Sequence, residues 1–359
     1  MERLFDRKSL SFVDGQQHLA VQQLLLAAFD DESLDAYLPA LDELVRRSIA
    51  RWEKLAEFAW VPELSAFSFG AIRTAFMGEP PSTEHGVFSV LFERLTDGVV
   101  RSPVSPKLYA AFAARNVFKA YVDRVVDRKR DTRGPDVVSK LLAGSDGAHL
   151  TDEQLRIELV HFFLAGAPLE SALAYHLLFL ARYGDVMERA RAEVLALANK
   201  DALKLQDLRQ LSYVLQTCRE SRRAARLVPN TFFATVKKPF TFGGYHVPAG
   251  WKATGLIVPT QHDSTIFERP EAYDPSRFQE GRRCPFYIAH GGDADPHRCI
   301  GERFTDFLMT LLTARLLRTH TWELVPGQDL SPRFGKVAPV PKDGLRIIFH
   351  CSRDASGPA

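Results

Sequence analysis

Apolar residues recur at helical spacing through most of the chain up to about residue 230, which predicts a largely helical N-terminal region. Arg128-Lys-Arg-Asp-Thr-Arg-Gly-Pro135 and Ala143-Gly-Ser-Asp-Gly-Ala-His149 break the pattern and read as loops. Thr151-Asp-Glu-Gln154 resembles a capping box that opens the helix leading into the most apolar stretch, residues 159–180. His161, Pro168, Glu170 and His176 interrupt that stretch, so it predicts a buried helix and not a membrane span. Beyond Pro229 the pattern changes. Phe240-Thr-Phe-Gly-Gly-Tyr-His-Val-Pro248 predicts strands around a glycine turn, and Gly344-Leu-Arg-Ile-Ile-Phe-His350 a terminal strand. Between them, helical spacing returns after Cys299, with no Gly or Pro from Glu302 until Pro326. Residues 352–359 predict a disordered tail, and no internal repeat is visible.

Charge narrows the partners. Lys and Arg number 46 against 44 Asp and Glu, and a net charge of +2 argues against a nucleic-acid or polybasic membrane partner. The 4 cysteines, at positions 218, 284, 299 and 351, show neither zinc-like pairing nor a disulfide framework, which fits a reducing cytoplasm. Met1-Glu-Arg-Leu-Phe-Asp-Arg-Lys8 is too charged for a signal peptide, so a cytoplasmic location is expected.

The candidate chemistry centres on Cys299, in Phe286-Tyr-Ile-Ala-His-Gly-Gly-Asp-Ala-Asp-Pro-His-Arg-Cys-Ile-Gly301. A lone cysteine in a Gly-rich loop before a long helix is how a protein presents sulfur to haem iron. A thiolate there donates electron density to the metal and favours O–O cleavage on the opposite face. Nearby backbone N–H groups, the helix N-terminus and Arg298 would keep it deprotonated. Gly291, Gly292 and Gly301 would let the backbone approach a flat macrocycle. The competing reading is a buried structural cysteine. Two further segments matter. In Glu220-Ser-Arg-Arg223 the Glu and the last Arg share a helix face, and Arg277 of Pro275-Ser-Arg-Phe278 can close a charge-assisted triad with them.

In this order and spacing the Glu-x-x-Arg helix, the Pro-x-Arg-Phe segment and the Cys-x-Gly loop resemble the cytochrome P450 family. The resemblance runs from Ser9-Leu-Ser-Phe-Val-Asp-Gly-Gln-Gln-His18 to Pro341-Lys-Asp-Gly-Leu-Arg346. It is strongest to the retinoid-hydroxylating branch, through Gly244-Tyr-His-Val-Pro-Ala-Gly-Trp251 and Trp322-Glu-Leu-Val-Pro-Gly-Gln-Asp-Leu330. It implies a single mainly α haem domain with small β-sheets over residues 1–351, N-terminally shortened. The cofactor implied is haem b, with Cys299 as proximal ligand and Glu220, Arg223 and Arg277 as the structural triad behind it. Ala165, Gly166, Pro168, Leu169 and Glu170 are expected over the distal face, and His18, His297, Arg298 and Gly301 around the haem.

Four departures from the family pattern qualify this. Where family monooxygenases carry an acid–alcohol pair for proton delivery, this chain has Pro168 and Leu169, neither of which exchanges protons. Pro168 should also kink the helix. Such proton transfer contributes roughly a hundred- to ten-thousand-fold, so Glu170, Ser171, water or the substrate would have to replace it. Secondly, Gly292 stands where the family places a Phe, and Asp293-Ala-Asp-Pro296 lengthens the loop as in peroxide-using fatty acid hydroxylases. Those enzymes also carry Pro in the central helix, with an adjacent Arg where this chain has Ala167. Thirdly, His18 remains from the early propionate motif without its Arg, and Asn230-Thr-Phe-Phe-Ala-Thr-Val236 lacks another. His297 and Arg298 would need to compensate for these charges. Lastly, the family's N-terminal helix, first strands and pocket-covering loop are not represented, which leaves a natively open pocket or a truncated product as the expectations.

The expected activity is oxygen insertion into a hydrophobic small molecule, served by a ferredoxin or reductase or by hydrogen peroxide. An isomerase or dehydratase needing no external electrons remains open, as does a non-catalytic family member acting as a partner protein.

Overall fold

Asp30 starts one of the long helices, Asp31–Leu55. Its carboxylate accepts the Ser33 amide at 2.8 Å, and Asp31 and Glu32 place negative charge at the helix's positive end. Leu34, Leu38, Leu41, Val45 and Trp52 recur every few positions and are buried, so this face packs on helices Trp60–Met77 and Glu302–Thr319. Arg315 of the last helix grips both oxygens of buried Asp42, at 2.6 and 2.7 Å. That charge-assisted pair ties the early helix to the one following the cysteine.

The computed structural model describes residues 2–80, 87–99, 104–144, 147–198, 200, 202–280, 287–291, 297–334 and 337–351. Cys284, Gly292, the Asp293-Ala-Asp-Pro296 insertion and the expected disordered tail lie outside the described residues. The architecture is mainly helical with small antiparallel sheets, as the sequence predicts. The largest described sheet has three strands, with Arg346–Cys351 between Glu57–Ala59 and His320–Leu324. Beneath it, Trp60 meets Trp52, Phe58, Phe349 and Trp322 edge-on, with ring centroids 4.7 to 6.2 Å apart. Trp322 donates its indole N–H to the Leu177 carbonyl at 3.0 Å, anchoring the sheet to the central helix.

That central element is two helices, Asp152–Ala165 and Pro168–Arg182, joined through Gly166 and Ala167. Pro168 has no amide to donate, so the ladder tightens around it: Ala167 N–H bonds Leu164 O at 3.3 Å and Leu169 N–H bonds Gly166 O at 3.1 Å. By length and composition residues 152–182 would suffice to cross a membrane, but 72% of their most apolar window is buried in the protein. The stretch is a core element. After Pro229 the chain first forms the ladder of Ala234–Thr235 with Lys252–Ala253 and the hairpin Phe240–Phe242 with Tyr245–Val247, and later pairs Pro332–Arg333 with Val340–Pro341. Gly243 and Gly244 turn the hairpin with φ of +58° and +82°.

Two local expectations need correction. Helix Pro106–Asp131 continues through Arg128, Lys129 and Arg130, where loop was expected. These cations suit a helix C-terminus, and each finds an acid: Arg128 with Glu79 at 2.8 Å, Lys129 with Asp136 at 2.6 Å, and Arg130 with Asp152. The capping box is half formed. Thr151 accepts the Gln154 amide at 3.2 Å, but the Gln154 side chain bonds Lys8 O at 2.9 Å and Glu158 at 2.6 Å.

Candidate active site

The cysteine loop is held by its own backbone. Cys299 N–H donates to the His290 carbonyl at 2.7 Å, and the amide and hydroxyl of Thr305 both reach the Gly301 carbonyl at 2.9 Å as the helix begins. Gly291 has a φ of +88°, and a Cβ there would sit 3.0 Å from the Arg298 Cα, so this position requires glycine twice over. At Gly301 the constraint is different: an added Cβ would meet only the Cys299 sulfur, at 3.8 Å.

Cys299 is solvent-accessible, yet burial is the largest influence on its thiol and pushes it up. Part of the residue reaches solvent while neighbouring protein crowds the thiol. The Gly301 amide, Arg222 and Arg298 pull the other way, but Glu302 opposes them and the net direction is upward. The expected deprotonation therefore does not come from these neighbours alone. A bound metal cation would supply it, since coordination removes a thiol proton outright.

The early and late histidines come together. The His18 and His297 rings lie 3.9 Å apart, and buried His18 also meets the Leu10 carbonyl at 3.1 Å through Nδ1. Asp14 lies beside them: its carboxylate is 3.9 Å from His297 Nε2 and accepts Lys237 at 2.8 Å. The Lys237 hydrogen bond, with help from both imidazoles, holds the Asp14 carboxyl below its ordinary range. Arg298 pairs with Glu302 at 2.6 Å, so the cation expected to compensate for missing propionate partners is engaged by the first residue of the helix that follows.

Glu220, Arg223 and Arg277 also assemble. Two Arg223 nitrogens each reach a separate Glu220 oxygen at 2.7 Å, while Arg277 stands 3.6 Å from the same carboxylate. Carbonyls of Gln261, Pro270 and Ala272 accept the remaining Arg223 donors, and the Asp274 amide donates to Glu220 at 2.9 Å. Arg277 bonds the Arg269 carbonyl at 2.8 Å.

On the central helix, Ala165 is the one exposed position between Glu158 and Leu178, and Gly166, Ala167 and Pro168 beside it are half-buried. The break is therefore the one accessible stretch in a run of buried residues. Leu169 and Glu170 are each 6% exposed, which places them in the packed part of the turn. Gly166 is needed for packing, since a Cβ would come within 2.5 Å of Ile72 Cδ1. Phe162, one turn before Ala165, packs on Phe76 at 5.6 Å, and Phe76 packs on Phe304 at 5.3 Å. Phe304 lies in the first turns after Cys299. One aromatic cluster thus holds both the helix break and the cysteine helix.

Sequence reasoning missed a buried polar layer between these helices. His176 contacts Ser221 at 3.0 Å and Thr313 at 2.9 Å, and Ser221 contacts Tyr273 at 2.9 Å. Arg222 joins Asp306 and reaches Tyr287 at 3.1 Å, and Arg219 shares Asp306 at 2.8 Å. The placement of Arg219 and Arg222 three apart on one helix was a legible signal. Asp306 was not, because nothing local pairs it with them.

These residues suit a haem: an accessible sulfur on a glycine loop, a glycine whose Cβ would occupy the space beside that sulfur, and an accessible helix break packed on the same aromatic cluster. Comparison with known proteins agrees. The family description "Cytochrome P450" matches residues 1–348. A putative cytochrome P450 120 of Synechocystis is 30% identical over 353 residues, covering 94% of this chain and 78% of that protein. Abscisic acid 8'-hydroxylase 2 of Arabidopsis thaliana is 24% identical, covering 96% of this chain and 74% of its own. The solved structure of retinoic acid bound cyanobacterial CYP120A1 superposes with a TM-score of 0.90 at 28% identity, over 98% of this chain and 82% of the other. This chain belongs to the cytochrome P450 family, whose cofactor is haem.

Proposed function

We propose that the chain is a haem-thiolate oxidoreductase that inserts oxygen into a hydrophobic small molecule without the usual acid–alcohol relay. Haem b, held through the Cys299 sulfur, would supply the redox chemistry. His18, His297 and Arg298 would face its carboxylates, with Arg298 exchanging Glu302 for that role. Glu220, Arg223 and Arg277 fix the helix behind the cysteine loop.

The observation that carries the reading is the broken helix. Its exposed position, Ala165, carries only a methyl group, and the residues at the family's acid and alcohol positions are Pro168 and Leu169, which neither donate nor accept protons. Protons would then come from Glu170, Ser171, water or the substrate, or arrive with the oxidant as in hydrogen peroxide. Relatives that bind retinoic acid or are named for abscisic acid support an apolar carboxylic acid as substrate class. Such a substrate would bring its own proton-exchanging group. A cytoplasmic setting is part of this reading, and Cys218, Cys299 and Cys351 are free thiols.

The test compares product formed with hydrogen peroxide against product formed with NADPH and a reductase or a ferredoxin. Peroxide-driven or substrate-dependent turnover is expected, with poor coupling in the reductase system. Efficient, tightly coupled reductase turnover on a substrate lacking a carboxylate would overturn it. The same lack of an acid–alcohol pair suits an isomerase, which conversion of a substrate peroxide without reductant would reveal.

A further inference from the structure

His161 stands one helical turn before Ala165, on the same face of the helix Asp152–Ala165. It is 5% exposed, and both ring nitrogens are engaged: Nδ1 meets the Glu158 carboxylate at 2.8 Å and Nε2 meets the Ser11 hydroxyl at 2.8 Å. Glu158 reaches no solvent, and its partners besides the ring are both donors, the Leu10 amide at 2.7 Å and the Gln154 side-chain amide at 2.6 Å. A carboxylate so surrounded accepts from all three. Nδ1 therefore carries the ring proton, and Nε2 keeps a lone pair to which Ser11 donates. Leu10 also gives its carbonyl to His18 at 3.1 Å, which seats these groups between the helix break and the histidines expected at the haem.

We propose that Ser11, His161 and Glu158 form a proton shuttle that replaces the missing acid–alcohol pair when hydrogen peroxide is the oxidant, an inference that rests on the proposed function. An O–H bond of the peroxide breaks, and its proton passes through the Ser11 hydroxyl to His161 Nε2. The same proton then returns to the departing oxygen. The O–O bond breaks with its electron pair leaving on water, and the retained oxygen is the one inserted into the substrate. Peroxide is reduced, substrate is oxidised, and no proton is gained or lost. Glu158 fixes the tautomer and balances the charge of the loaded ring. Behind Glu158 stand a backbone amide and a Gln side chain, neither of which exchanges protons. The shuttle can hand a proton back but cannot draw a new one through the helix, and a dioxygen route consumes protons from solvent. The arrangement thus suits peroxide better than a reductase.

The test titrates the haem-loaded chain with cyanide and, after reduction, with carbon monoxide, and measures peroxide-driven beside reductase-driven product. Cyanide arrives as hydrogen cyanide and leaves its proton on the protein, whereas carbon monoxide brings none. His161→Gln can keep both hydrogen bonds but has no basic nitrogen. It should weaken cyanide about tenfold or more and slow peroxide-driven product about a hundredfold. Carbon monoxide affinity, the thiolate-type Soret band and reductase-driven product should stay unchanged. Glu158→Gln turns an amide N–H toward Nδ1, moves the ring proton to Nε2 and should have the same effects; it decides the matter if His161→Gln takes up no haem. Unchanged cyanide affinity and peroxide rate in both variants would overturn the proposal, as would equal losses of cyanide and carbon monoxide affinity, the mark of a disturbed fold. A wild-type chain without a thiolate-type Soret band would defeat the proposed function itself, and this inference with it.

Discussion

Arg223 and Glu220 form a two-pronged ion pair, each bond 2.7 Å long, with neither side chain reaching solvent. Two charges taken out of water repay that cost only when every donor is matched, and here backbone carbonyls take the rest of the guanidinium. Glu220→Gln leaves the arginine buried without its counter-charge and should cost about 3–5 kcal/mol in urea unfolding. A loss below about 1 kcal/mol, the scale of an exposed pair, would contradict this picture.

His176 should make the fold acid-sensitive. Burial, and then the charge of Arg222, holds its imidazole down at about 3, against 6.5 for an exposed histidine. The folded value is the lower one, so the unfolded chain binds the extra proton. Stability is fully present above about pH 6.5 and falls as pH drops toward 3, by up to about 1.4 kcal/mol per pH unit for one proton. His290, also held at about 3, adds to the slope. Urea midpoints between pH 7 and 5 should therefore flatten by about one proton's worth in His176→Gln. An unchanged slope would show that His176 is not neutral and enclosed.

Much of the fold was legible because helical periodicity, glycine turns and the order of short motifs are local or survive as spacing. The break at Pro168 followed from residue type, and the Glu220–Arg223 pair from helical spacing read together with the order of the motifs. What was not legible depends on distant partners. Arg128 to Arg130 stayed helical because Glu79, Asp136 and Asp152 reach them from other segments. Gln154 abandons its expected cap for Lys8 and Glu158. Likewise His18 and His297, 279 positions apart in the numbering, meet only through the fold.

Gly291 gives a test of the cysteine loop independent of turnover. Its positive φ and the 3.0 Å approach to Arg298 mean that Gly291→Ala must shift the backbone that bonds Cys299. Strain of this kind costs about 1–3 kcal/mol, so haem retained per chain after gel filtration should fall several-fold. Full retention would mean the loop tolerates a side chain there.

Restoring proton-exchanging groups should redirect the oxidant. Pro168→Asp with Leu169→Thr is expected to raise the share of reductase-driven product about tenfold or more relative to peroxide-driven product. If the ratio does not move, these two positions do not govern proton delivery.

The most direct test is the absorption spectrum of the purified, reduced protein under carbon monoxide. Ligation of haem through Cys299 predicts a thiolate-type Soret band that Cys299→Ser eliminates. A colourless protein that takes up no hemin, or a band that survives Cys299→Ser, would contradict it.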